Sequence, residues 1–319
     1  MQTLQKAVPV NTSADDEEPH WISRGAFQIV VLVLVGVEVL LAIALRHDWI
    51  WLIVPLVMMA GHLMHGILIG FHEAAHGNLR KSRWFNDFDG TLIGIFSFFS
   101  FTLYRVAHQT HHAYLLTEKD LEFWPFVQTE KPRWSRCLAA VLELNFGMFY
   151  TPLLFFRAFI NPHSPIKNRR IRRRVWIEMC TSVFAWILII TATSVLDLWK
   201  YLVWMYLVPA FVAGNLQSWR KYIEHVGMTG TTANGATRSI VADNWIGRLV
   251  SFTLLHEPLH GIHHQRAGLP HAELPRHLDK LQPRFRGERP PFRSYGHAFR
   301  DLLHCLKDPQ VGPQWRTLH

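Results

Sequence analysis

Three histidine clusters stand out in this chain because their spacing suits metal binding. They read His72-Glu73-Ala74-Ala75-His76, His108-Gln109-Thr110-His111-His112 and His260-Gly261-Ile262-His263-His264. Spacings of three and four residues put side chains on one face of a helix, so each cluster can direct two or three imidazoles at one point. Imidazole is a preferred ligand of iron, zinc, copper and nickel. If the fold brings the clusters together, their eight histidines can surround two metal ions.

The clusters lie just outside apolar segments that are long enough to cross a bilayer, which requires about 20 residues. We predict four spans, at residues 25–45, 49–70, 175–195 and 198–216. The polar residues 1–24 are expected to form a disordered N-terminal tail. Residues 25–275 would form the membrane domain, and residues 276–319 a cytoplasmic C-terminal tail.

Two further apolar stretches are not expected to cross. Residues 91–103 are too short, and residues 138–160 contain Glu143, Asn145 and Arg157, which favours a helix that lies on or dips into the interface. If either stretch crossed, the histidine clusters would lie on different sides of the membrane. The basic run at 169–174 would face the cytoplasm under the positive-inside rule. The predicted fold is therefore an all-α integral membrane protein, with two membrane hairpins and a cytoplasmic helical cap that holds a two-metal site.

Composition agrees with a membrane protein that has a cationic cytoplasmic face. The chain has 319 residues, of which 49% are hydrophobic, and 33 Lys and Arg against 24 Asp and Glu give a net charge of +9. The three cysteines are isolated, so neither a disulfide framework nor a thiolate metal site is predicted. Glycine-rich nucleotide motifs are absent from the sequence, and no nucleic-acid partner is expected.

The order of the clusters, HxxxH followed by two HxxHH boxes between spans, resembles the membrane fatty acid desaturase family. Flanking residues strengthen the resemblance: His76-Gly77-Asn78-Leu79 follows the first box, and Leu269-Pro270 and Leu274-Pro275 follow the third. The stretch Arg220-Lys221-Tyr222-Ile223-Glu224-His225 is similar to the R-x-Y-x-E-H pattern of that family. The resemblance extends over roughly residues 60–275.

This resemblance implies a centre of two iron ions, cycling between Fe2+ and Fe3+, with the eight box histidines as ligands. Such a centre would activate dioxygen and introduce a double bond into the acyl chain of a lipid. Its two electrons would come from a separate donor, a ferredoxin or a small cytochrome, since no residues remain to form a donor domain. Two surfaces are candidates for donor docking, Arg80-Lys81 with Arg83 and the run at 169–174. The alternative role of that run is to orient the spans and bind anionic lipid.

The R-x-Y-x-E-H resemblance also implies a ninth ligand, His225. A helix continuing from residue 216 would raise His225 by about 13 Å, close to the height of about 9 Å that His76 reaches above the second span. His256 is the rival, although Pro258 disfavours a regular helix there. Three acids, Glu73, Asp120 and Glu257, are candidates to orient the imidazoles, and Arg220 is expected to pair with Glu224 one turn away.

Other functions remain compatible with these ligands. Lipid or carotenoid hydroxylases and ketolases of the same superfamily share the boxes, and the metal ligands alone do not distinguish oxygen insertion from desaturation. A membrane metal carrier is a third class. It would need ligands within the spans, whereas the boxes lie outside them.

Overall fold

The structure is a computed structural model that describes residues 21–162 and 164–318. Residues 1–20 of the predicted N-terminal tail lie outside the described residues, and residues 21–24 form a short helix. In chain order the α-helices of the described part are α1 (Trp21–Arg24), α2 (Ala26–Arg46), α3 (Ile50–His76), α4 (Arg83–Phe96), α5 (Phe101–Ala113), α6 (Arg133–Ile160), α7 (Arg169–Val195), α8 (Trp199–Tyr201), α9 (Val208–His225), α10 (Ala233–Ala236), α11 (Trp245–Thr253), α12 (His260–Gln265) and α13 (Tyr295–Cys305). A π-helical segment, Leu202–Leu207, joins α8 to α9, and two 3₁₀ segments, His271–Leu281 and Pro313–Leu318, lie towards the C-terminus. The predicted all-helical class is confirmed for the described residues.

Two hairpins form the apolar part of the molecule. Helices α2 and α3 reverse direction at Asp48, and α7 and α8 do so at Asp197; both residues have a φ of 52°. The Nζ of Lys200 donates to the Leu45 carbonyl and to the Asp48 carboxylate, each at 2.6 Å. These bonds join the two hairpin turns at one end of the bundle. The histidine clusters lie at the opposite end, where α3 and α9 terminate.

Four helices, α2, α3, α6 and α7, are long and apolar enough to cross a membrane, as judged by length and composition. The predicted spans 25–45, 49–70 and 175–195 correspond to α2, α3 and α7. The predicted span 198–216 lies in the run from α8 to α9, where the π-helical segment divides the helix into shorter pieces. The number of candidate spans is as predicted, but α6 takes the place of the α8–α9 run among them.

Both ends of α6 pack on elements at the histidine end of the bundle. Near its start, Ala140 lies in one apolar cluster with Tyr222 at the end of α9. Near its end, Phe159 packs with Val175 at the start of α7. The helix is kinked at Phe146, where φ and ψ are −133° and 35°. These contacts favour a helix that dips beside α9 and returns, and that residues 138–160 do not cross stays a prediction.

A sharp bend separates α4 from α5, whose axes differ by 107°. The bend interrupts the predicted interfacial stretch 91–103, and Phe98 within it has a φ of 54°. The side chain of Ser100 then caps α5 by accepting the N–H of Leu103 at 3.1 Å. The bend thus turns α5, which carries the second histidine box, back across the histidine end of the bundle.

Helices α3 and α9 pack closely side by side and run towards the same end. Gly61 of α3 makes this approach possible, because a Cβ at this position would lie 2.6 Å from the Cγ1 of Val212. Since α3 ends at His76 and α9 at His225, the contact sets the relative height of the first box and of His225.

The described part of segment 276–318, predicted as a tail, packs into the cap. Ala298, Leu302 and Val311 are fully buried in the cluster that contains Phe126 and Tyr222. The N–H of Gly227 donates to the carbonyl of Gln310 at 2.8 Å. This segment therefore completes the cap core, because its apolar side chains cover the outer side of α9 and the loop after α5.

Candidate metal centre

The first histidine box lies at the C-terminal end of α3. His72 and His76 are one turn apart, so both imidazoles leave the helix on the same face. Helix α3 ends immediately afterwards at Gly77, whose φ of 81° is a conformation that other residues rarely adopt. The end of the helix therefore fixes both histidines at the base of the cap, where His72 is 1% exposed.

The second box lies on α5. His108, His111 and His112 occupy its last two turns. The ring of Tyr104, one turn before His108, stacks on that imidazole with a centroid distance of 5.2 Å and an interplanar angle of 10°. This stacking limits the rotation of the His108 ring.

The third box lies on the short helix α12, which follows an unusual backbone turn. Leu255 and His256 have φ values of 50° and 57°. Two consecutive non-glycine residues in this region are uncommon. They reverse the chain after α11, and the N–H of His256 donates to the Ser251 carbonyl at 2.7 Å. The reversal presents His260, His263 and His264 to the other two boxes.

The Nε2 atoms of the boxes converge. Six Nε2–Nε2 pairs, His76–His108, His108–His112, His112–His263, His111–His264, His225–His260 and His260–His264, are separated by 2.7–3.4 Å. A neutral imidazole that donates through Nδ1 has only a lone pair at Nε2. Lone pairs that face one another at these distances are satisfied by a cation between them.

The convergent nitrogens form two groups. The first group is His72, His76, His108, His112 and His263, with ligand atoms within 4.8 Å of one another. The second group contains His111, His225 and His264 within the same limit, together with His260, whose Nε2 lies 2.7 Å from that of His225 and 3.0 Å from that of His264. The second and third boxes each contribute to both groups, so these two boxes link the two positions.

All nine predicted ligands belong to these two groups, His225 among them. Helix α9 continues without a break to His225, as its predicted height required. His256 belongs to neither group within the described residues, and its Nε2 is buried without a hydrogen-bond partner.

Carboxylates at the Nδ1 edge orient three of the rings. Asp120 accepts from His111 and Glu122 from His108, both at 2.7 Å, and Glu257 accepts from His260 at 2.9 Å. Asp120 and Glu257 were predicted in this role, whereas Glu122 was missed. The predicted Glu73 lies 3.6 Å from the Nδ1 of His72, beyond hydrogen-bond distance. Each Nδ1–H that is donated leaves the lone pair of Nε2 free for a metal.

A buried arginine connects two acids beside the second group. Arg220 donates through one terminal nitrogen to Glu224 at 2.5 Å, the predicted pair, and to Glu257 at 3.0 Å. Burial by itself would raise the pKa of Glu257, but His72, His260 and Arg220 bring that pKa well below its ordinary value. Glu257 is therefore a carboxylate near neutral pH, able to accept from His260.

Burial favours the neutral form of most of these histidines. It holds the pKa of His108, His225, His263 and His264 well below the ordinary value. The pKa of His111 is raised instead, because the nearby carboxylates of Asp120 and Glu122 outweigh burial. Neutral imidazole is the form that binds metal ions.

The donor set fits two metal ions. His72 is buried, and neither of its ring nitrogens has a hydrogen-bond partner among the described residues. A buried polar atom without a partner is costly unless something else binds it. Nine imidazoles in groups of five and four would satisfy iron, zinc, copper or nickel. His76, His112 and His264 are only half-buried, so the centre is accessible from their side.

Comparison with known proteins agrees with this geometry. The chain is similar to an sn-1 acyl-lipid omega-3 desaturase (ferredoxin) of Synechocystis sp., with 26% identity over 225 residues. The match covers 68% of this chain and 59% of that protein, so it spans about three fifths of the relative's length. The sequence model of the family described as fatty acid desaturase matches residues 49–296, more than three quarters of the chain and all three boxes. The chain therefore belongs to the fatty acid desaturase family.

Proposed function

We propose that this protein is a membrane desaturase that introduces a double bond into a fatty acyl chain, with two iron ions held by the nine histidines. The observation that carries the proposal is the convergence of their Nε2 atoms in two adjacent groups. Zinc would accept the same ligands but has no redox chemistry. Membership in the desaturase family supports iron over zinc.

Iron bound at the two groups would supply activation of dioxygen and removal of hydrogen from an unactivated C–H bond. In the overall reaction, the acyl chain loses two hydrogens, and dioxygen takes up two electrons and two further protons to give two waters. Asp120, Glu122 and Glu257 would keep His111, His108 and His260 in the tautomer that binds through Nε2. The burial of these acids and rings excludes bulk water from most of the centre.

The substrate we propose is the acyl chain of a membrane lipid. The histidine groups lie at one end of the helices that are long and apolar enough to cross a membrane, which is the position in which they would meet an acyl chain of the bilayer. The relative from Synechocystis sp. is named as an acyl-lipid desaturase, which supports this substrate class. The basic run at the start of α7 lies at the same end, which under the positive-inside rule supports a cytoplasmic position of the centre.

The electrons would come from a separate carrier. The name of the relative includes ferredoxin, an acidic iron–sulfur carrier, and the net charge of this chain is +9. Opposite charges accelerate the encounter of such partners. We therefore propose ferredoxin or a small cytochrome as the donor.

The test is lipid analysis after expression in a host that lacks its own desaturase. Wild-type protein should yield acyl chains that have lost two hydrogens, with the new double bond located by mass spectrometry, and purified protein should contain two irons per chain. His111→Ala should remain in the membrane and give no product. Hydroxylated or keto lipids instead of a double bond would replace the proposal by the hydroxylase or ketolase alternative, and full activity with less than one iron per chain would refute it.

A further inference from the structure

The two histidine groups are unequal. The first has five imidazoles, whereas the second has four, His111, His225, His260 and His264. An ion in the second group would therefore have one histidine ligand fewer than an ion in the first group. A buried carboxylate, Glu224, lies beside the smaller group. One of its oxygens lies within 4.8 Å of a ring nitrogen of His225 and of a ring nitrogen of His260.

Glu224 differs from the other acids of the centre in the edge of the ring that it faces. Asp120, Glu122, Glu73 and Glu257 all meet a histidine at Nδ1. Glu224 meets His260 at Nε2, the atom that points to the metal position, at 3.6 Å. Among the ion pairs of the described residues it is the one carboxylate on the metal side of an imidazole. An acid that only oriented a ring would lie at Nδ1.

The distance suits two donors to one ion. Nitrogen and oxygen donors lie about 2.0–2.2 Å from a bound first-row ion such as zinc, so two of them can be at most about 4.4 Å apart. The separation of 3.6 Å between Glu224 and His260 is within this limit. It is also too long for a hydrogen bond, so His260 and Glu224 do not satisfy one another.

Arg220 holds Glu224 in this position. Its guanidinium bonds Glu224 at 2.5 Å and Glu257 at 3.0 Å, and Glu257 in turn accepts from the Nδ1 of His260. One arginine therefore fixes a carboxylate at each edge of the same imidazole. All three charged side chains are at least nine-tenths buried, so the arrangement is rigid and shielded from water.

We propose that Glu224 is the fifth protein donor of the second metal position and binds the ion through its carboxylate. This proposal rests on the proposed function, since it requires ions at both histidine groups. It makes the two ions chemically inequivalent, with five neutral imidazoles around one and four imidazoles and an anion around the other. The anion favours the higher oxidation state at the second position, because it compensates more of the positive charge there.

Glu73 provides a matched control. It is adjacent in sequence to a histidine of the first group, as Glu224 is to His225, and both acids are buried. Its distance of 3.6 Å from His72 equals that between Glu224 and His260, but it is measured to Nδ1. Glu73→Gln and Glu224→Gln therefore make the same chemical change, the first at the Nδ1 edge of His72 and the second at the Nε2 edge of His260.

The experiment is titration of the purified apoprotein with ferrous iron, followed by 57Fe Mössbauer spectroscopy. Wild type should bind two irons and give two distinct quadrupole doublets of equal area. Glu224→Gln should bind the second iron at least tenfold more weakly and lose or shift one doublet, whereas Glu73→Gln should retain both irons and both doublets. Two irons with wild-type affinity and unchanged doublets in Glu224→Gln would overturn the proposal.

A second variant covers the case in which Glu224→Gln does not fold. Glu224→Asp keeps the charge but withdraws the carboxylate by one methylene, so it should also shift one doublet, and unchanged doublets would count against ligation.

The wild-type assay separates this inference from the proposed function. Wild-type protein that binds two irons and forms a double bond, together with unaltered iron binding in the Glu224 variants, would leave the function intact and remove only the fifth donor.

Discussion

Several buried charges around the metal centre have a partner of opposite charge or a hydrogen-bond donor. Asp120 accepts from the Nδ1 of His111 and from the N–H of Leu116, and Arg220 balances Glu224 and Glu257. An uncompensated buried charge costs several kcal/mol. These residues therefore stabilise the cap and at the same time fix the direction in which the imidazoles point.

His225 and His256 allow a direct test of which histidines bind metal. Both are largely shielded, and burial lowers the pKa of His225 well below the ordinary value and that of His256 to about 4. Only His225 has its Nε2 within 2.7 Å of another box nitrogen. We expect His225→Asn to lose one iron per chain and to reduce turnover by at least about 100-fold, because loss of a group that only supports a metal ligand already costs roughly 10–100-fold.

The matched variant is His256→Asn, because asparagine tolerates the positive φ of this position. It should retain two irons and turn over within about threefold of wild type, the small effect expected away from the reacting groups. Iron content by mass spectrometry and the rate of product formation are the measurements. Loss of iron from the His256 variant, with both irons kept in the His225 variant, would reverse the assignment of the ninth ligand.

Local spacing made the histidines predictable, but not their partners. Three- and four-residue intervals set the direction of side chains within a helix, so His108 and His112 could be placed together from sequence. The positions of Glu122 and Glu224 beside the histidines depend on how a loop and a helix pack on other elements. No periodic pattern in the sequence encodes this packing. The pairing of Arg220 with Glu224 was predicted from their one-turn spacing, whereas its second bond, to Glu257, joins residues far apart in the chain.

Helix α5 depends on a neighbouring helix for its position. Glu178 of α7 accepts from the Ser100 hydroxyl at 2.7 Å, from the Thr102 N–H at 2.9 Å and from the Thr102 hydroxyl at 2.6 Å. These bonds lie at the start of α5, directly after the bend. They fix the helix about two turns before His108, and therefore set the position of the second box.

Glu178→Ala should destabilise the start of α5. It leaves three buried donors without their acceptor, and each unsatisfied group costs about 1–3 kcal/mol. We expect a loss of about 3 kcal/mol in the free energy of unfolding, measured as a lower midpoint of thermal unfolding in detergent, together with weaker iron binding. Glu178→Gln retains one acceptor oxygen and should lose less. An Ala variant as stable as wild type would show that Glu178 does not hold α5.

The spans were predictable to the extent that apolar length decides them. The predicted spans at 25–45, 49–70 and 175–195 correspond to single helices, because about 20 apolar residues bury their backbone best as a helix. Composition could not reveal the π-helical segment within the fourth. It also could not decide the path of α6, which depends on contacts such as Phe159 with Val175.

The molecule as a whole has an asymmetric charge, since much of its excess positive charge lies at the histidine end. Several of the cations predicted for donor docking are already engaged: Arg80 pairs with Asp89, and Arg174 with Asp87 and Glu178. Others, Lys81, Arg83, Arg169, Arg170 and Arg173, are exposed and form no ion pair with the described residues. These exposed residues are the part of the basic surface that remains available to an acidic partner.

The rate of electron transfer from the donor should therefore depend on salt concentration, because the exposed arginines at the start of α7 attract an acidic donor. Surface charges steer an oppositely charged carrier, and the screening length falls to about 10 Å at 0.1 M salt. We expect the apparent second-order rate constant for the donor to fall with ionic strength in wild type. The variant Arg169→Gln/Arg170→Gln/Arg173→Gln should have a lower rate constant at low salt, and its rate constant should depend less on ionic strength.

The control has the same change in charge. The variant Arg286→Gln/Arg293→Gln/Arg300→Gln alters exposed arginines of the C-terminal segment, and its rate constant should depend on ionic strength as in wild type. If the two triple variants show equal slopes, the run on α7 is not the docking surface, and its role is reduced to orienting the span and binding anionic lipid.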